Sequence, residues 1–136
     1  MTPERFAQGL TLPQYLAQMR SNKERFQQRM ADAEIIPADR EAIRARKLKV
    51  LVITEDWCGD ALVGFPALAR LVEDAPDVEM RVFLRDANPD VMDQYLKRGL
   101  YRTIPVIVFF DEQMNELARY VERQDVVTEL RTLLKV

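Results

Sequence analysis

Only one sulfur nucleophile is available in this chain, and its position suggests chemistry. Cys58 is the single cysteine. It follows an apolar, β-branched run, Leu48 to Thr54, through the polar turn Glu55-Asp56-Trp57, and it precedes an apolar helical pattern that starts at Ala61 and runs to about Asp74. A thiol at a strand-to-helix turn faces unpaired backbone N–H groups and the positive end of the helix dipole, and both favour the nucleophilic thiolate. Gly59 fits a tight turn or a close approach of another chain. Asp60 is placed to act as a carboxylate at the helix N-terminus. Trp57 either packs under the loop or flanks the thiol. Three residues after Cys58, where a second cysteine would complete a redox pair, stands Ala61. A dithiol cycle within the chain is therefore excluded.

Composition removes further chemistries. Histidine is absent, which eliminates Cys–His hydrolysis, imidazole acid–base catalysis and most zinc sites. No metal-ligand cluster, phosphate loop or cofactor motif appears, so the expected site needs neither metal nor cofactor. A formal net charge of −2 gives no basic stripe for nucleic acid. The charge is uneven: residues 1–47 carry 9 Lys/Arg against 6 Asp/Glu, which leaves 11 against 16 for the rest, a split read as a solvated basic helix face. One cysteine excludes an intramolecular disulfide, and neither a leader-like apolar segment nor an 18-residue apolar run is present. The expectation is a cytoplasmic protein without membrane association.

The elements around the thiol can be read in order. The 136 residues are the usual size of one domain. Residues 1–47 read as helical: Thr11 is an N-cap with Pro13 in the first turn, and Tyr15, Leu16, Met19, Phe26 and Met30 recur near helical spacing. Ser21-Asn22 marks a break, and a short helix over 38–47 buries Ile43. An α/β pattern follows: strand Leu48–Thr54, helix Ala61–Asp74, strand Val78–Leu84, and a helix from Asn88 to about Arg98-Gly99 with the glycine as its stop. Strands Pro105–Phe110 and Glu116–Val121 form a hairpin across Asp111–Asn115. A last helix, Gln124–Leu134, presents Val127, Leu130, Leu133 and Leu134 to the core. The first two strands should pair parallel across their helix and the last two antiparallel, which gives a mixed sheet.

Trp57-Cys58-Gly59-Asp60, Ile104-Pro105 and this strand–helix order together resemble the thioredoxin superfamily over about residues 48–134. Pro66, eight residues after Cys58, stands where the family has a helix-kinking proline; an interior proline otherwise costs about 3 kcal/mol. The similarity is to a bacterial thioredoxin-like subgroup with a helical N-terminal segment and a W-C-G-D-C-type motif. It implies an α/β thioredoxin-like fold with a central mixed sheet flanked by helices and residues 48–136 as the thioredoxin-like domain; because residues 1–47 supply helices and no first strand, four core strands are expected instead of five, with 1–47 as a helical extension packed on the core. It also implies a cis Pro105 facing Cys58, with the Ile104 backbone pairing to an extended substrate.

The chain departs from the family at Ala61, at Asp60 where many members have proline, and at Val52, which occupies the place of a buried carboxylate that serves the second sulfur. One thiol supports monothiol exchange: a mixed disulfide forms on Cys58 and an external thiol resolves it. Asp56 and Asp60, flanking the sulfur, point to cationic or neutral substrates. The expected partners are protein or small-molecule thiols and disulfides, with a monomer favoured. Two alternatives stand beside this reading. One is a non-catalytic binding module that uses the groove beside Ile104-Pro105; the other is a two-cysteine oxidoreductase whose resolving cysteine has been replaced at Ala61.

Overall fold

The computed structural model describes residues 1–121, 130, 133 and 134. Four helices come first: α1 (Pro3–Phe6), α2 (Leu12–Gln18), α3 (Lys23–Asp32) and α4 (Pro37–Arg44). They are followed by β1 (Leu48–Thr54), α5 (Ala61–Glu73), β2 (Val78–Leu84), α6 (Pro89–Met92), β3 (Val106–Phe110) and β4 (Glu116–Val121). The strands form one four-stranded sheet in the order β2-β1-β3-β4. β1 pairs parallel with β2, and the β1–β3 and β3–β4 pairs are antiparallel. This is the mixed sheet that the sequence implied.

β1 is the central strand, and six of its seven residues are buried. That explains its near-continuous apolar run: a strand covered on both faces has no solvent side to mark with polar residues. Its alternation sorts side chains between two layers. Val50 and Val52 face Phe65 and Leu68 of α5, together with Tyr15, Phe26 and Met30 of the N-terminal helices. Leu51 and Ile53 face the opposite layer, made by Phe6, Val91, Met92 and Tyr95, and this layer also contains Cys58.

Of the N-terminal helices, α2, α3 and α4 are built into the first layer and α1 packs Phe6 into the second. Thr11 caps α2 through a reciprocal capping box with Gln14, and α2 and α3 are separated at Asn22, which takes a left-handed φ of 62° that asparagine tolerates. Phe26 stacks edge-on against Phe65 at 5.0 Å, with Tyr15 completing a three-ring cluster. Before α2 the chain crosses the free edge of β2: Leu10 and Val82 exchange both backbone hydrogen bonds, at 2.9 and 2.7 Å. Gly9 makes this approach feasible, since a Cβ there would lie 2.6 Å from the Phe83 ring and 2.9 Å from the Arg81 Cβ.

Two helices differ from expectation. α4 spans Pro37–Arg44 and not 38–47, because β1 begins at Leu48 and the linker needs extended residues. The helix expected from Asn88 to Arg98-Gly99 ends after one turn, at Met92. Val91, Met92 and Tyr95 are buried at helical spacing, yet Lys97 and Tyr101 pair across a tight turn in which Arg98 and Gly99 both have positive φ. Gly99 thus serves a turn instead of a helix stop. Of the last expected helix, Leu130, Leu133 and Leu134 are helical and pack on the α5 layer; Val127 and the remainder lie outside the described residues. No helix among the described residues is long and apolar enough to cross a membrane.

Candidate active site

β1 delivers the chain to the site. After Thr54, residues 55–60 form the turn, with the Cys58 amide donating to the Glu55 carbonyl at 3.1 Å. The Leu62 and Val63 amides then donate to the Gly59 and Asp60 carbonyls at 3.1 and 3.2 Å, which closes the first turn of α5 on the thiol loop. The Ile104–Pro105 peptide bond is cis. It brings the Ile104 carbonyl to the sulfur, and the Cys58 thiol donates to that oxygen at 3.8 Å. The motif and the proline turn, 46 residues apart in sequence, therefore meet.

The thiol is more covered than its place in a turn suggests. Cys58 is 8% exposed, packed in one apolar layer with Ala61 and Ile104. Its hydrogen-bond partner is an acceptor carbonyl, whereas the turn alone pointed to amide donors. Trp57 is 52% exposed, so its ring is not packed beneath the loop. Gly59 is exposed and lacks a positive φ, and a Cβ on it would meet nothing within 4 Å. No tight turn demands glycine there; the space beside the thiol is simply open. Asp60 precedes α5 but makes no side-chain capping bond to it. Val52, at the place of the family's carboxylate, is fully buried among apolar neighbours. Among the described residues no group of histidine, cysteine or carboxylate side chains could hold a metal ion.

The carboxylates near the thiol serve the fold. Asp56 Oδ2 accepts from the Arg20 and Ser21 amides at 2.7 and 3.3 Å, and its carbonyl accepts from Asn22 Nδ2 at 3.0 Å. The α2–α3 turn is thereby fastened to the loop that carries the thiol. Glu55 accepts from the Asp86 amide at 3.1 Å. Arg102 is exposed and forms a two-point pair with Asp93 at 2.8 and 2.9 Å.

Two contributors escape sequence reasoning. Arg85 places its guanidinium over the Trp57 ring at 5.1 Å and donates to the Arg102 carbonyl at 3.4 Å, bridging the thiol loop to the proline loop. Tyr15, whose spacing marks it only as core, is buried within reach of the Thr54 hydroxyl and of the Asp56 and Glu55 charges. Burial is the main cause that pushes its hydroxyl well above the ordinary tyrosine range, and the two carboxylates add to it. Neither residue leaves a local signal, because each acts across a long sequence separation.

This architecture and this thiol–proline pairing are those of a thioredoxin-fold protein. A sequence profile described as thioredoxin matches residues 9–135, and the chain belongs to that family. Among solved structures, the chain is similar to a protein of unknown function from Pseudomonas aeruginosa at 24% identity and a TM-score of 0.74, covering 95% of this chain and 81% of that one. It is also similar to an HIV epitope scaffold at 23% identity and 0.74, covering 98% and 88%. The Fasciola hepatica thioredoxin aligns at 23% identity and 0.51, covering 70% and 84%. The first two likenesses extend over the N-terminal helices. No curated protein sequence matches the chain.

Proposed function

We propose that the protein is a thiol–disulfide oxidoreductase that works by monothiol exchange through Cys58. The observation that carries this reading is the contact between the only thiol of the chain and the Ile104–Pro105 turn. In the first step the Cys58 thiolate attacks one sulfur of a disulfide R–S–S–R′, the bond from Cys58 to R–S forms, and R′–S⁻ leaves and takes up a proton. An external thiolate R″–S⁻ then attacks the R sulfur, R–S–S–R″ leaves, and Cys58 is released as thiolate. Ala61 supplies no internal resolving thiol, so the mixed disulfide lasts until the external thiol arrives. The open space beside Gly59 is the approach route, with Trp57 flanking it. Substrates in this reading are protein or small-molecule thiols and disulfides in the cytoplasm, and the working form is a monomer.

The test is adduct formation with an oxidised small thiol, such as glutathione disulfide, read by intact mass on the folded protein. One adduct, reversed by excess reduced thiol and absent from Cys58→Ser, is the expected result. An adduct that forms only after denaturation would reject the reading. A second reading, a non-catalytic module that binds extended peptides beside Pro105, is favoured by the low exposure of Cys58 together with the exposed side chains of Trp57, Leu100 and Tyr101. Retention of partner binding in Cys58→Ser, with no adduct on the wild type, would select it.

A further inference from the structure

We propose that Arg29 is a positioning residue for Cys58, supplying from the N-terminal helices the hydrogen bond that Pro66 withholds from the first turn of α5. In an α-helix the amide of residue 66 would donate to the carbonyl of residue 62. Pro66 lies inside α5 and has no N–H, so the Leu62 carbonyl loses its partner in the helix ladder. Arg29 of α3 reaches that same oxygen, with Nη1 donating at 3.1 Å in a part-buried bond. Leu62 is itself buried, so bulk water is a poor substitute.

The bond continues to the thiol. The Leu62 amide donates to the Gly59 carbonyl, and Gly59 is the residue after Cys58. On the other side of the sulfur, the turn that leads into α3 holds the Asp56 carboxylate and carbonyl through Arg20, Ser21 and Asn22. One helix thus braces the thiol loop from both directions, before Cys58 through the residues entering α3 and after it through Arg29. The kink that the proline introduces is completed by a residue 33 positions upstream of the carbonyl it serves. The inference concerns how the sulfur is held, and its bearing on exchange rests on the reading of Cys58 as the exchanging thiol.

The experiment is a double-mutant cycle on the full chain with Arg29→Met, Arg29→Lys, Pro66→Ala and the Arg29→Met/Pro66→Ala pair. The readouts are the iodoacetamide alkylation rate of native Cys58 and amide exchange over residues 61–65. Arg29→Met, which keeps an apolar stem and has no donor, should raise both about fivefold, the scale of one lost hydrogen bond, and Arg29→Lys should restore them, since an ammonium can also donate. In the Pro66→Ala background the alanine amide serves Leu62, so Arg29→Met should change neither. An equal effect of Arg29→Met in both backgrounds, or no effect in either, overturns the proposal. If Arg29→Met alone does not fold, the pair with Pro66→Ala must, and its failure to do so overturns it as well. Alkylation reports access to the sulfur whether or not Cys58 exchanges disulfides, so failure of the exchange reading appears separately in the adduct assay.

Discussion

Phe26→Ala tests whether the N-terminal helices share the stability of the sheet. The ring is 1% exposed and sits edge-on to Phe65 at 5.0 Å and to Tyr15 at 6.2 Å. Truncating a buried phenylalanine costs about 3–5 kcal/mol, and loss of aromatic pairs accounts for about 0.5–1.5 kcal/mol per pair. A loss of about 4 kcal/mol is a large share of the roughly 5–15 kcal/mol available to a domain. With a urea dependence of about 2 kcal/mol per molar, the midpoint should fall by about 2 M. The assay is urea unfolding followed by far-UV circular dichroism and by the fluorescence of Trp57, the single tryptophan, which reports on the thiol loop. Both probes should move together, because α3 bonds to α5 and the turn entering it bonds to that loop. A Trp57 transition left at the wild-type midpoint while helical signal melts early would refute the idea that these helices and the site form one cooperative unit.

Other perturbations have definite expected outcomes. Gly9→Ala forces a Cβ to 2.6 Å from the Phe83 ring and should destabilise by about 1–3 kcal/mol, as overpacking does; an unchanged thermal midpoint would show that the chain can lift off β2 freely. Gly59→Ala meets open space, so thermal unfolding should show unchanged or slightly raised stability, by about 0.4–1 kcal/mol, while adduct formation at Cys58 slows; a stability loss would contradict the geometry. Ala61→Cys, in the apolar layer that holds Cys58, should form an internal disulfide on mild oxidation, read as two thiols lost to alkylation without a small-thiol adduct. Tyr95 is pushed up to about 12, first by burial and then by the Glu116 charge, with Arg119 opposing. Its stabilising contribution is complete below the ordinary tyrosine value near 10 and is lost as pH rises through 12; Tyr95→Phe should flatten that alkaline decline in the thermal midpoint. Asp90 is held below its ordinary value mainly by the Arg5 hydrogen bond. Its contribution is present at neutral pH and disappears as pH falls through the lowered value, so Asp90→Asn should shrink the acid decline.

The features legible in the sequence are local or strongly periodic. β1, α5, β2 and the β3–β4 hairpin are marked by continuous apolar runs and turn residues, and each lies within a residue or two of its expected place. Pro66 is legible because proline inside a helix is costly and it stands eight residues after Cys58, and Ile104-Pro105 is legible from its resemblance to the family's proline just before a core strand. Residues 93–101 mislead, because Val91, Met92 and Tyr95 repeat at a spacing that a turn can also bury. The low exposure of Cys58, the clamp at Asp56 and the bridge from Arg85 to Trp57 leave no trace in the order of residues. Each depends on partners 28 to 46 positions apart, or on how closely one loop settles against another.

The Leu10–Val82 exchange has a practical meaning for anyone trimming this chain. A fragment starting at Leu48 would leave the outer margin of β2 with bare amides and carbonyls, and would uncover the apolar side of α5 now occupied by Phe26. Exposed strand margins recruit other strands. Such a fragment should gather into insoluble assemblies, and the first ten residues are then best regarded as the hem that keeps the sheet single.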